Sequence, residues 1–135
     1  MLALARRIES AARQSTMYER MDRAAYAIAR ALDREGPSSV NVLARNLSLD
    51  GSTVTRQVAA MEARDHAIRE ADPEDGRAWV ISLTASGREE MSAITVERRR
   101  RFAAWVADWS PADVEQFGIL LQRFNAAMTQ TTASR

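Results

Sequence analysis

The chain has 135 residues, 46% of them hydrophobic, with a formal net charge of +1, no cysteine and a single histidine. That length suits one domain per subunit without a large core of its own, a shortage that dimerisation relieves, and the hydrophobic content argues against disorder. The absence of Cys excludes disulfides, thiolate metal sites and thiol redox switches, and His66 alone cannot supply a His-rich metal site or a His-based triad within one subunit.

No apolar run approaches the roughly 18 residues of a membrane span. The first seven residues are too short for a secretory signal, and their two arginines are on the wrong side of the apolar stretch. A cytoplasmic protein with no membrane partner is expected. There is no Gly-rich phosphate loop, HExxH or GxSxG, and Glu62, Glu89 and Glu90 are spaced as ordinary surface acids of helices. Neither catalysis, nor a metal, nor a cofactor is expected.

In chain order, Leu2, Ala5, Ile8 and Ala12 follow a helical stripe interrupted by arginines, which predicts an amphipathic first helix. A second is predicted from about Thr16 to Arg34, with Met17, Met21, Ala24, Ala25, Ile28 and Leu32 on one face and Gly36-Pro37 as its stop. Met17, Tyr18 and Met21 suit a pocket for a small aromatic or lipophilic ligand, because thioethers adapt to varied shapes and phenols supply polar handles. The competing reading is that a Met stripe at helical spacing is core.

From Val42 to Leu47 the apolar residues recur at helical spacing, and Ser48-Leu49-Asp50-Gly51 interrupts them with turn chemistry. Asp50 can cap a further helix to about Arg64 by accepting from the N–H of Ser52 or Thr53. On that helix Val54, Val58 and Met61 share one stripe, while Ser52, Arg56 and Ala60 point the other way at roughly 100° per residue. The outward face is small and hydroxyl-bearing with one guanidinium, which suits close approach to the DNA major groove. His66, just beyond, reads as a partly exposed structural residue. Ala67–Ala71 and Ala78–Leu83 then flank Asp72-Pro73-Glu74-Asp75-Gly76-Arg77, which predicts a hairpin. Helix, turn, helix and hairpin make a winged helix-turn-helix.

Thr84 reads as the cap of a long helix through Met91, Ile94, Phe102, Trp105 and Trp109, and Ser110-Pro111 restarts the chain into a last helix carrying Val114, Phe117, Leu120, Leu121, Phe124 and Met128. All three Phe and two of the three Trp lie here, outside the winged lobe, which points to a self-complementary helical dimer.

Three stretches resemble the MarR family of transcriptional regulators: Leu43–Leu49; Ser52–Val58 with Met61-Glu62; and Asp72–Ala78 followed by Val80–Thr84 and Gly87, the last matching the family's wing signature. Two departures stand out. Ser48 and Asp65 occupy positions where the family has helix-ending glycines, so less sharply capped ends are expected, and His66-Ala67 replaces a bulkier apolar pair.

The expected architecture is mainly α: one domain over 1–135, a winged lobe at about 36–84, dimerisation helices at about 1–15 and 85–131, and a small β-hairpin wing. The expected function is a DNA-binding regulator, a ligand-responsive repressor that binds a pseudo-palindromic operator as a homodimer. Its partners are double-stranded DNA and a small aromatic or lipophilic effector. The alternative is a protein-interaction module that keeps the winged fold without reading DNA, which the acidic wing segment favours. Ser52, Thr53 and Thr55 are expected to contact phosphates or thymine methyls, Arg56 a guanine edge, and Arg77 the minor groove. Asp75, as the resemblance implies, orients Arg77. Leu2, Ile8, Phe102, Trp105, Phe117, Leu121 and Phe124 are expected at the dimer interface.

Overall fold

The structure is a computed structural model that describes residues 6, 7, 10 and 16–133, with side chains as far as residue 128. Leu2 and Ile8 lie outside the described residues. A short 3-10 turn, Thr16–Tyr18, precedes α1 (Arg23–Glu35). The single helix expected from Thr16 is interrupted because Asp22 takes an extended backbone and its carboxylate accepts the Ala25 N–H at 2.8 Å, a cap that starts the helix afresh. Gly36, at φ 82°, ends α1 with its N–H on the Leu32 carbonyl.

Next come α2 (Val40–Leu47), capped by Ser39, and α3 (Gly51–Ala63), capped by Asp50. Both end in a left-handed residue that is not glycine: Ser48 at φ 53° and Asp65 at φ 58°. The caps are nonetheless complete. Leu49 N–H reaches the Ala44 carbonyl at 2.9 Å and Ser48 N–H that of Arg45 at 3.3 Å; His66 N–H reaches Met61 at 2.8 Å and Asp65 N–H reaches Glu62 at 3.0 Å. These are the paired bonds of a Schellman motif. The expected loosening is thus absent, and the cost falls on the backbone, where a left-handed conformation is unfavourable for a residue with a Cβ, less so for Asp than for Ser. Ser48→Gly is therefore expected to stabilise the fold by about 0.5–1 kcal/mol. Urea unfolding at fixed protein concentration checks this; a loss of stability would contradict it.

The wing is an antiparallel pair, β1 (Ala67–Ala71) and β2 (Trp79–Leu83), in register Ala67↔Leu83 to Ala71↔Trp79. A one-residue bridge adds Ser38 beside Ile81, with N–H···O bonds of 3.1 and 2.9 Å exchanged between them. Behind the wing, α4 (Ala85–Trp105) starts on Thr84, whose hydroxyl accepts the Gly87 N–H at 2.9 Å and donates to the Asp65 carbonyl at 2.5 Å. Gly87 must be glycine: a Cβ there would sit 2.0 Å from the His66 carbonyl oxygen. This close approach leaves His66 only 3% exposed, not partly exposed as the sequence suggested.

The chain forms two compact units, the first reaching to Glu97 and the second starting at Arg98. The first has one core in which Met21, Ile28, Leu43, Val54, Val58, Met61, Ile81 and Ile94 are fully buried. Burial of such side chains contributes roughly 1.5–3 kcal/mol each. In the same unit the Thr95 hydroxyl donates to the Met91 carbonyl, so the Tyr26 phenol is the donor in its 3.1 Å bond to Thr95. In the second unit, α5 (Pro111–Ala133) is capped by Ser110, which accepts the Asp113 N–H at 3.1 Å. There Phe117 stacks on Phe102 at 6.3 Å and meets Trp109 edge-on at 5.4 Å.

Candidate nucleic-acid interface

The two faces of α3 are as different as its sequence implies. Val54 and Val58 are fully buried and Met61 is 1% exposed, whereas Ser52, Thr55, Arg56, Ala59 and Ala60 face solvent. The buried stripe fixes the helix on the core, so small side chains and one guanidinium form its free surface. Among the described residues no ion pair engages Arg56 or Arg77.

The cap does more than start the helix. Asp50 accepts Thr53 N–H at 2.8 Å and the Ser52 hydroxyl at 2.5 Å on Oδ1, and the Thr53 hydroxyl at 2.7 Å on Oδ2. These donors, the Ser52 hydroxyl foremost and then those of Thr53, hold the Asp50 carboxyl well below the usual carboxylate range. Because the folded-state value is depressed, the cap's contribution is complete above the ordinary Asp range and is lost only as pH falls through the lower value. Thr55 donates its hydroxyl proton to the Gly51 carbonyl at 2.8 Å.

At the wing tip the Asp75 carboxylate accepts the Arg77 backbone N–H at 3.1 Å, and Ala78 N–H reaches the Asp75 carbonyl at 2.8 Å. Asp75 thus fixes the backbone that carries Arg77, and the guanidinium itself is exposed. Other arginines are committed elsewhere: Arg69 lies 3.4 Å from Glu62, and Arg64 donates to the Arg20 carbonyl at 3.4 Å. Arg45, at the exposed end of α2, has no ion pair among the described residues and joins Arg56 and Arg77 as a cation open to phosphate. Its position before the turn was readable in the sequence, but its freedom from acids was not.

The three residues expected to line a ligand pocket part company. Met17 lines a cleft of about 300 Å³ with Ala93, Ile94, Glu19, Arg20, Glu90 and Glu97, and Arg20 lies 3.4 Å from Glu90. Met21 is wholly buried in the core, and Tyr18 packs edge-on to Tyr26 at 6.3 Å, with the Arg23 guanidinium 5.9 Å from its ring. In the second unit, Phe102, Trp105, Leu121 and Phe124 are 40–57% exposed, while Phe117 is half-buried between its two aromatic neighbours. No helix among the described residues is long and apolar enough to cross a membrane.

A helix-turn-helix with a small-residue outer face, flanked by a hairpin carrying an exposed arginine, defines a winged helix-turn-helix protein. Residues 21–78 match the model of the MarR family. The chain is 39% identical over 107 residues to the uncharacterized HTH-type transcriptional regulator YxaD of Bacillus subtilis strain 168, covering 79% of this chain and 75% of that one. Similar solved structures include the PcaV transcriptional regulator of Streptomyces coelicolor in complex with its natural ligand, at 25% identity, TM-score 0.68 and coverage of 93% and 91%. A MarR family protein from Bacillus stearothermophilus shares the fold at 22% identity and TM-score 0.77, with coverage of 95% and 92%. The chain belongs to the MarR family of transcriptional regulators. Family membership supports DNA binding and implies a regulatory rather than an enzymatic protein.

Proposed function

We propose that the chain is a homodimeric, ligand-responsive repressor that binds a pseudo-palindromic operator, placing one α3 in the major groove of each half-site and each wing tip in the flanking minor groove. The observation that carries this reading is the contrast between the fully buried Val54, Val58 and Met61 stripe and the exposed Ser52, Thr55 and Arg56 face. In this reading the whole chain is one MarR-like domain, whose terminal helices pair through Phe102, Trp105, Phe117, Leu121 and Phe124. The exposure of Phe102, Trp105, Leu121 and Phe124 supports that assignment.

The effector is assigned to the cleft beside Met17. Its Met17 thioether and Ile94 side chain suit a small aromatic or lipophilic molecule. Coupling between effector and operator must be reciprocal, since a ligand that favours the non-binding dimer is itself weakened by operator DNA. The test is footprinting of the region upstream of the chain's own gene with a panel of neutral, cationic and anionic aromatics. The expected footprint has two half-sites about one helical turn apart and is lost with one member of the panel. That same ligand should bind more weakly when operator is present, and equal affinities would rule out the switch for it.

A further inference from the structure

We infer that Asp50 is a specificity-determining positioning residue, which turns the Ser52 and Thr53 hydroxyls at the start of the recognition helix into hydrogen-bond acceptors toward DNA by taking their protons. The inference rests on the reading of α3 as the groove-entering helix. A carboxylate accepts only, so in both hydroxyl contacts to Asp50, at 2.5 and 2.7 Å, the proton belongs to Ser52 or Thr53 and points inward. The Thr55 proton is likewise fixed, on the Gly51 carbonyl. Each hydroxyl has one proton, so what remains for a partner outside is lone pairs, with the threonine methyls beside them.

This changes what the residues can read. Phosphate oxygens are acceptors, so none of these hydroxyls binds a phosphate without giving up an inward bond. In the major groove the complementary donors are the exocyclic amino groups of cytosine and adenine, and the threonine methyls can pack on thymine methyls. At the start of this helix, phosphate contact falls to the first-turn backbone N–H groups, which a helix start leaves unsatisfied and of which Thr53 has already given its own to Asp50, with Arg45 as a nearby cation. Arg56 remains the donor, suited to guanine. An acidic cap therefore divides the helix into acceptors at its start and one donor a turn further on.

The test is competition binding of wild-type protein, Asp50→Asn and Arg56→Ala to operator variants with each base at each core position. Asn keeps an oxygen for the Thr53 amide but offers a donor to one hydroxyl, whose proton then turns outward. Wild type should prefer adenine or cytosine at one core position per half-site. In Asp50→Asn that preference should shift about threefold to tenfold toward guanine or thymine, which present acceptors. Removing the charge also strengthens binding, but by one factor for every variant. If Asp50→Asn does only that while Arg56→Ala alters core preference, the inference is overturned and the groove-reading helix stands. If no protein shows any core preference, both are overturned. Asp50→Ser, which keeps a capping oxygen but cannot hold both hydroxyl protons, should shift preference the same way and carries the test should the Asn variant not fold.

Discussion

A chain carrying both Phe117→Ala and Leu121→Ala is expected to be monomeric at micromolar concentration. Leu121 is 43% exposed on α5, one turn beyond Phe117 and beside Phe124, which is 44% exposed. Monomeric proteins rarely leave contiguous apolar surface of this kind uncovered, and in the proposed dimer a second copy of the same helices would cover it with two-fold symmetry. Truncating a large apolar residue in a buried interface costs a few kcal/mol, so two such losses in each subunit weaken the dimer by about a thousandfold or more. Phe117 also holds Phe102 and Trp109 within its own chain, so Leu121→Ala alone separates the two effects: it should weaken the dimer while leaving those ring contacts in place. Light scattering across a dilution series gives the answer, and a dimer that survives both substitutions puts the interface elsewhere.

Arg56→Ala and Arg77→Ala are expected to fail in different ways. Arg56 stands opposite a fully buried stripe, so its guanidinium can reach a base edge, and a bidentate contact to guanine discriminates by about 1–3 kcal/mol. Its loss should relax preference at one position in each half-site. Arg77 sits on a backbone fixed by Asp75 at the wing tip, where a narrow A·T-rich minor groove concentrates negative potential and attracts Arg without detailed recognition. Its loss should weaken binding to cognate and altered cores alike, with a shallower salt dependence and less preference for flanking A·T. Competition binding at two salt concentrations distinguishes them. The assignments fall if Arg56→Ala leaves core preference untouched, or if Arg77→Ala changes it.

The parts of this fold that were legible in the sequence are those set by local chemistry. The stripe of Val54, Val58 and Met61, the Asp50 cap, the hairpin turn and the Ser110 cap each need only a few consecutive residues, and each stands in the structure as its residues dictate. The Asp22 cap was equally local, but the apolar stripe running through it from Met17 to Leu32 masked the break. What the sequence hid depends on distant partners. Ser38 joins the sheet through one residue pair, too short for any periodicity to mark. His66 is buried because Gly87, far along the chain, lets a helix backbone close over it. Met17 and Met21 share a helical stripe in the sequence, yet Met21 is wholly inside the core while Met17, at the core's edge, lines a cleft, a difference that only tertiary packing decides. At the candidate site, the side chains facing outward were readable, but the direction of their hydroxyl protons followed only from the two hydroxyl contacts to Asp50 and the one to the Gly51 carbonyl.

Net charge gives this chain little general attraction for nucleic acid, so placement of a few arginines has to carry the binding. A gel shift on the chain's own upstream region, repeated across a salt series, tests that most directly. Each phosphate neutralised contributes about 0.9 to the slope of log affinity against log salt. The expected result is retention of that duplex over an unrelated one of equal length, with affinity falling steeply as salt rises. Equal retention of both duplexes, or binding indifferent to salt, would contradict a DNA-reading helix and favour a winged fold that serves a protein partner.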